Sequence, residues 1–211
     1  MGSQQRGSTD LINDLPEFLR THYEVLERQH AIAVLKLDFP EEYRDIVEVL
    51  SAFRLRKSEI IKPGGGKSEI SKGLDDAFGD RGWEEKGFSI ATAIDGEELQ
   101  SATHSIDCYK NEVGLEIEWN SKDQTFDRDL INFSRLYDAG KLSAGVIVTR
   151  CDELQDLFDS LADAEGEMVG RKYGASTTHM SKLLPRLAQR RNGGCPVLVF
   201  GISKALYVEG E

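Results

Sequence analysis

The spacing of apolar and polar residues separates helical from extended segments along the chain. A period near 3.6 predicts a helix, whereas alternation or a short unbroken apolar run predicts a strand. Helical periodicity covers residues 41–53, 68–78 and 125–139, a segment that opens at Asp152, and another that opens at Ser176 or Thr177. Extended patterns cover residues 88–94, 104–110, 112–119, 144–149 and 196–202. This order predicts an α/β fold in which a mixed central sheet is flanked by helices.

Turn and cap residues mark the limits of these segments. Ser68, Thr125 and Asp152 stand where a helix N-cap is expected, and Pro185 should kink or restart the last helix. Residues 110–112 predict a tight hairpin turn, and the Pro-Gly-Gly-Gly run at 63–66 predicts a loop. We therefore expect a single domain over residues 1–211, in which residues 1–67 form an N-terminal extension and loop packed on a core at 68–202.

Length and composition exclude several classes of protein. With 211 residues, of which 30% are charged, the chain has the balance of a globular domain rather than a disordered one. Its longest apolar runs fall far short of the roughly 18 residues that a membrane-spanning helix needs. Cys108, Cys151 and Cys195 are widely separated, which argues against a disulfide scaffold or zinc ribbon and suits a reducing compartment. We expect a cytoplasmic protein that does not associate with membranes.

The charges of the chain are unevenly distributed. The net charge is −11, which argues on average against a polyanionic partner. Residues 54–72, however, carry six basic and two acidic side chains, and residues 168–194 carry six basic and no acidic ones. Such segregation would give one positive face for a polyanion such as DNA. The alternative is that folding interleaves the two signs and leaves no positive face.

Paired acids on a predicted strand are the strongest chemical signal. Glu116 and Glu118 are two residues apart, so both side chains leave one face of the strand. The alternating apolar residues of the strand face a core on the other side, namely Val113, Leu115, Ile117 and Trp119. Asp107 lies nine residues before Glu116, and a tight turn near Asn111 would bring the two acids together on antiparallel strands. Three converging carboxylates would form an oxygen-rich site suited to Mg²⁺ or Mn²⁺. The alternative, which spacing alone favours, is a solvated strand face on a half-buried strand.

The residues around these acids resemble a known family. The stretches are HSIDCYKN at 104–111, LEIEWN at 115–120, YGASTTH at 173–179 and GCPVLVFGI at 194–202. Together they are similar to the BglII/BstYI group of type II restriction endonucleases, over roughly residues 68–202. The resemblance implies the PD-(D/E)XK nuclease fold and site-specific, Mg²⁺-dependent cleavage of double-stranded DNA, with Mn²⁺ as a substitute ion.

The resemblance also implies roles for the acids. Asp107, Glu116 and the carbonyl of Ile117 would hold the metal beside the scissile phosphate, and Glu118 would orient or deprotonate the attacking water. The superfamily usually has lysine at the third motif position, where this chain has Glu118. Lys122 lies four residues further on, where we expect a phosphate contact at most.

Other residues are candidates for DNA contacts. Asn120 and Ser121 follow the catalytic strand, although such residues also favour ordinary turns. A second group combines basic side chains with a predicted helix N-terminus that favours phosphate. It comprises Arg150, Arg171, Lys172, Ser176, Thr177, Thr178 and His179. Plain N-capping, and pairing of Arg150 with Asp152, are the alternatives, and Arg186, Arg190 and Arg191 are expected to form a solvated helix face. We do not expect His179 to be a catalytic base, because the sequence indicates no carboxylate partner for it.

The resemblance further implies a homodimer that acts on a palindrome. Helices 125–139 and 177–191 are candidates for the dimer interface. We also expect a cognate DNA methyltransferase in the same system. Two alternatives remain open. One is a PD-(D/E)XK nuclease that acts in repair or on RNA, and the other is an inactive, nuclease-like DNA-binding protein.

Overall fold

The computed structural model describes residues 11–62 and 67–210. The helices of this part are α1 (Glu17–His22), α2 (Ala31–Asp38), α3 (Pro40–Ala52), α4 (Lys57–Ile60), α5 (Glu69–Gly79), α6 (Thr125–Asp138), α7 (Leu154–Ser160) and α8 (Met180–Ala188). The strands are β1 (Tyr23–Arg28), β2 (Leu55–Arg56), β3 (Glu84–Lys86), β4 (Ser89–Ile94), β5 (Glu97–Ala102), β6 (Ile106–Lys110), β7 (Val113–Ile117), β8 (Ala144–Arg150), β9 (Val197–Ile202) and β10 (Tyr207–Val208).

A six-stranded mixed sheet with the order β1-β9-β8-β7-β6-β3 forms the centre of the fold. Strands β7, β8 and β9 are mutually parallel, and β1, β6 and β3 pair with their neighbours antiparallel. All residues of β8 and β9 are buried, because helices cover both faces of the sheet. The predicted α/β fold with a mixed central sheet is confirmed.

Two apolar cores lie on opposite faces of this sheet. Helices α1, α2, α3, α5 and α7 contribute to the core on one face. Helices α6 and α8 cover the other face with Phe126, Leu130 and Phe133 of α6 and Leu183 of α8. Helix α6 packs so closely on β8 that a Cβ at Gly145 would lie 2.5 Å from the ring of Phe133. Strand β7 is therefore buried on both faces, and the expectation of a half-buried strand with a solvated acidic face was wrong.

The N-terminal segment contributes directly to the sheet. Strand β1 pairs with β9 over six residues, from Tyr23 opposite Ile202 to Arg28 opposite Val197. The buried side chains of α1 and α2 belong to the same core as those of β7 and β8. Residues 23–28 are thus part of the sheet rather than of an extension packed on it. The predicted loop at 63–66 lies outside the described residues.

Several helices and strands begin, end or pair differently from the sequence-based predictions. Strand β4 exists, but it pairs with β5 in a separate two-stranded sheet. Ser68 caps α5, as predicted, by accepting a hydrogen bond from the Ser71 amide. Thr125 is instead the first residue of α6, and Glu153 rather than Asp152 precedes α7. The last long helix begins at Met180 rather than at 176 or 177, and it continues through Pro185.

None of the helices in the described ranges combines the length and apolar character that crossing a bilayer requires.

Candidate active site

A tight hairpin brings Asp107 and Glu116 together. Strands β6 and β7 are joined by Asn111 and Glu112, whose φ angles of 45° and 66° are typical of the two-residue turns that match strand twist. The Asp107 amide donates a 3.3 Å hydrogen bond to Glu116 Oε2, and the Ile117 amide donates a 2.9 Å bond to Asp107 Oδ2. Backbone groups therefore hold one oxygen of each carboxylate.

The second oxygen of each acid is available for a ligand. Glu116 is 1% exposed, and its Oε1 is buried without a hydrogen-bond partner among the described residues. No hydrogen bond within that part of the chain uses Asp107 Oδ1. A buried, unsatisfied carboxylate oxygen is costly unless a ligand occupies it. Together with the carbonyl of Ile117, these oxygens form a donor set that suits Mg²⁺ or Mn²⁺.

Glu118 faces a different set of partners. It lies just beyond β7 and is nearly fully buried. The Thr125 hydroxyl donates a 2.7 Å bond to Glu118 Oε2, and Arg128 Nη2 lies 3.4 Å from Oε1. Within residues 11–62 and 67–210, no three His, Cys, Asp or Glu side chains are arranged to hold one ion. The expected cluster of three carboxylates around a single metal was therefore wrong, because the first turn of α6 binds the Glu118 carboxylate.

A fourth acid, Asp129, lies beneath these groups on α6. Its side chain is fully buried, and Oδ2 is among the described buried atoms that have no partner. Burial and then the neighbouring Glu118 carboxylate raise the pKa of Asp129 to about 9, although the Arg128 guanidinium opposes this. Burial, and the charges of Asp129, Asp107 and Glu118, likewise raise the pKa of Glu116 well above its ordinary value. The acids are therefore crowded to an extent that a bound cation would relieve.

Asp107 and Glu118 line a cleft of about 810 Å³ that also carries basic side chains, and Glu116 and Asp129 are buried behind them. Its lining includes Asp107, Ile117 and Glu118. The two basic segments of the sequence meet here, since Lys62 and Lys67 come from residues 54–72 and Lys172 comes from residues 168–194. The cleft therefore combines four basic side chains, Lys62, Lys67, Arg128 and Lys172, with four acidic ones, Glu59, Glu69, Asp107 and Glu118, and Lys62 pairs with Glu69.

The predicted DNA-contacting residues divide into two groups. Asn120, Ser121 and Lys172 line the cleft. Asn120 has a φ of 60°, and its buried Oδ1 has no partner within the described residues. Lys172 Nζ donates to the carbonyl of Lys62 across the cleft.

The remaining candidates do not line this cleft. Arg150 is buried and donates to the Tyr173 carbonyl and to Thr177 Oγ1, and Thr178 Oγ1 donates to the Glu118 carbonyl. In place of DNA contacts, these side chains hold residues 173–179 against the ends of β7 and β8. Of the exposed candidates, Lys122 forms a β-bridge with Thr177, Arg171 pairs with Glu167, and Ser176 accepts at its carbonyl from the Asp123 amide.

His179 has the carboxylate partner that the sequence did not indicate. Its Nδ1 lies 2.7 Å from Asp152 Oδ1, and Asp152 also accepts bonds from the amide and hydroxyl of Ser181. Asp152 therefore contacts the start of α8 instead of capping α7. Because His179 lies outside the lining of the cleft, this pair gives it no place near the scissile bond.

Sequence reasoning missed Thr125, Arg128, Asp129 and Lys67. Asp129 did leave a signal, because it shares the inward face of α6 with Phe126, Leu130 and Phe133. An acid within an apolar helical stripe is rarely structural alone. Thr125 was interpreted as a cap, Lys67 was included only as part of the basic segment 54–72, and no pattern in the sequence marked Arg128.

A comparison with known protein families identifies the family of the chain. A family model described as restriction endonuclease BglII/BglIII matches residues 23–202, from the first residue of β1 to the last residue of β9. No curated protein sequence matches the chain. The matched region holds the entire six-stranded sheet and the hairpin that carries the acids. The chain therefore belongs to the BglII/BglIII family of restriction endonucleases.

Proposed function

We propose that the protein is a Mg²⁺-dependent type II endonuclease that cuts both strands of a short DNA palindrome as a homodimer. The observation that carries this proposal is the pair Asp107 and Glu116, each with one oxygen held by a backbone amide and one available. Asp107 lines a cleft that also carries three lysines. Family membership supports the reaction class, and the geometry supports the choice of residues.

Asp107, Glu116 and the Ile117 carbonyl would hold Mg²⁺, or Mn²⁺ in its place. The unpartnered Oε1 of Glu116 supports this assignment. When bound, a divalent ion lowers the pKa of a water ligand and neutralises charge on the phosphate.

Glu118 would orient the attacking water and accept its proton. Thr125 and Arg128 fix the direction of its carboxylate at the edge of the cleft. In the reaction, a bond forms between the water oxygen and phosphorus as the bond from phosphorus to the leaving oxygen breaks. Glu118 receives the proton of the water, and the leaving oxygen is protonated by solvent.

DNA would enter along the lysine-lined walls. Lys62, Lys67 and Lys172 would contact backbone phosphates, which provide affinity without sequence information. Asn120 and Ser121 line the same cleft directly after the catalytic strand, and we propose that they contact base edges.

The first test is digestion of phage DNA with Mg²⁺, with EDTA as the negative control. Discrete fragments support site-specific cleavage. A smear would favour the repair or RNA nuclease, and retardation without cutting would favour the inactive DNA-binding protein. Asp107→Asn should abolish cutting, whereas Asp156→Asn, at an exposed acid in the first turn of α7, should leave it unchanged.

A genomic test addresses the wider system. A neighbouring gene for a DNA methyltransferase of the same specificity would support restriction-modification, in which methylation protects the host sites. Cleavage of DNA that this methyltransferase has fully modified would contradict that assignment.

A further inference from the structure

Arg128 bridges two of the acids at the cleft. Its Nε donates a 3.0 Å bond to Asp129 Oδ1, and Nη2 lies 2.9 Å from the same oxygen and 3.4 Å from Glu118 Oε1. The side chains of Asp129 and Glu118 are at most 4% exposed, whereas that of Arg128 is 40% exposed and lines the cleft. The guanidinium therefore lies between the two buried acids and the cleft. Its Nη1 makes no hydrogen bond within the described part of the chain.

The charges of the site require a cation at this position. A phosphodiester brings a further negative charge to a cleft that is lined by Asp107 and Glu118, with Glu116 buried next to Asp107. Like charges at such separations repel strongly in a partly desolvated cleft. Glu118 occupies the third motif position, so the catalytic strand itself supplies no positive side chain there. Arg128, which reaches the same place from α6, is paired directly with Glu118.

We propose that Arg128 contacts the scissile phosphate by donating from Nη1 to a non-bridging oxygen, and that Asp129 is a positioning residue that holds the guanidinium. This inference rests on the proposed nuclease function. A guanidinium has five donors in a planar fork, so Nε and Nη2 can bind the carboxyl groups of Asp129 and Glu118 while Nη1 donates to phosphate. Arg128 forms no covalent bond in the reaction. It stabilises the charge that builds up on the phosphate oxygens as water attacks.

The positive charge of Arg128 also acts on His104, another residue of the cleft. His104 is exposed and lines the same cleft as Arg128. Burial and then the Arg128 guanidinium lower the pKa of His104, although three neighbouring acids act in the opposite direction. The Arg128 guanidinium therefore acts on a side chain that lines the cleft as well as on the two buried acids.

The test compares Arg128→Ala and Arg128→Lys with Arg44→Ala, which removes an exposed arginine of α3 outside the cleft. On cognate DNA with Mg²⁺, Arg128→Ala should lower kcat by about 100-fold. Arg128→Lys should show an intermediate rate, because it keeps a charge but loses the fork. Arg44→Ala should cut like the wild type. Circular dichroism melts establish that each variant is folded, and Arg128→Lys carries the test if the alanine variant does not fold.

Chemical rescue separates contact with substrate from a structural role. Millimolar guanidinium should restore part of the rate of Arg128→Ala, whereas sodium chloride or urea at the same concentration should not. A folded Arg128→Ala variant that guanidinium fails to rescue would overturn the phosphate contact. So would wild-type cutting by Arg128→Ala or Arg128→Lys.

The positioning role of Asp129 has its own readout. Asp129→Asn should lower kcat less than Arg128→Ala, and adding it to Arg128→Ala should cause no further loss, because both act through one guanidinium. Additive losses would overturn this role. A wild type that never cuts DNA refutes the nuclease proposal and this inference together, whereas an active wild type with an equally active Arg128→Ala overturns this inference alone.

Discussion

Asp129→Asn should stabilise the metal-free protein at alkaline pH and flatten the pH dependence of its unfolding. The carboxyl group of Asp129 is fully buried, and burial followed by the Glu118 carboxylate raises its pKa to about 9. In the unfolded chain the same group has a pKa near 3.9. Between these two values the native state keeps a proton that the unfolded state has released. Rising pH therefore favours unfolding across this window.

The size of the effect follows from one proton. A difference of one bound proton changes the free energy of unfolding by roughly 1.4 kcal/mol per pH unit. Between about pH 6 and pH 8, Asp129 would then cost the wild type up to about 3 kcal/mol, which is an upper limit because the proton is shared with coupled neighbours such as Glu116. Asparagine keeps the shape of the side chain and never ionises, so Asp129→Asn removes this slope.

The assay is urea denaturation in EDTA across this pH range, with exposed Asp156→Asn as the matched control. The wild type and Asp156→Asn should lose stability in parallel as pH rises, and Asp129→Asn should lose less. If Asp129→Asn and the wild type show the same slope, Asp129 does not hold the extra proton, and the argument from its burial fails.

Further predictions concern catalysis, DNA binding, packing and assembly. Glu116→Gln should reduce cleavage by roughly two orders of magnitude or more while leaving DNA binding in Ca²⁺, measured by fluorescence anisotropy, unchanged. Lys172→Ala should flatten the salt dependence of that binding by about one counterion, whereas Arg171→Ala should not, because Arg171 pairs with Glu167 outside the cleft lining. Gly145→Ala should destabilise the fold by about 1–3 kcal/mol in urea, because its Cβ would meet an aromatic ring, whereas Gly73→Ala has open space and should be neutral or stabilising. Light scattering should give the mass of a two-fold dimer, and a monomer both free and on cognate DNA would contradict this.

The acid hairpin was predictable because its determinants are local. Side chains on a strand alternate with a period of two, and a two-residue turn fixes the register of the strands that it joins. The nine-residue separation then places Asp107 beside Glu116 without knowledge of the rest of the chain. The two residues do lie close together, since the Asp107 amide donates to the Glu116 carboxylate. Their catalytic roles remain a prediction.

The surroundings of the hairpin depend on contacts that the local pattern does not encode. The alternation in β7 indicates one apolar and one polar face, which is also the pattern of a solvated sheet. Only the packing of α6 buries the second face and turns Glu118 toward Thr125 and Arg128. The contacts of residues 173–179 also involve residues that are distant in the chain. Their hydroxyl groups suggested a helix N-terminus, but Thr178 instead binds the Glu118 carbonyl, 60 residues away in the chain.

The net charge of −11 does not indicate which basic residues form ion pairs and which line the cleft. In the segment 168–194, three arginines are used in ion pairs with acids of the same chain, namely Arg171, Arg186 and Arg191. Ion pairs of this kind contribute little to stability, but each removes a positive charge from the surface that DNA could contact. Lys172 forms no ion pair with the described residues and lines the cleft, where Lys62 and Lys67 of the other basic segment pair with Glu69 and Asp75. Within this acidic protein, Lys172 is therefore the cleft lysine whose charge is free to attract a DNA phosphate toward the acids that would bind the metal.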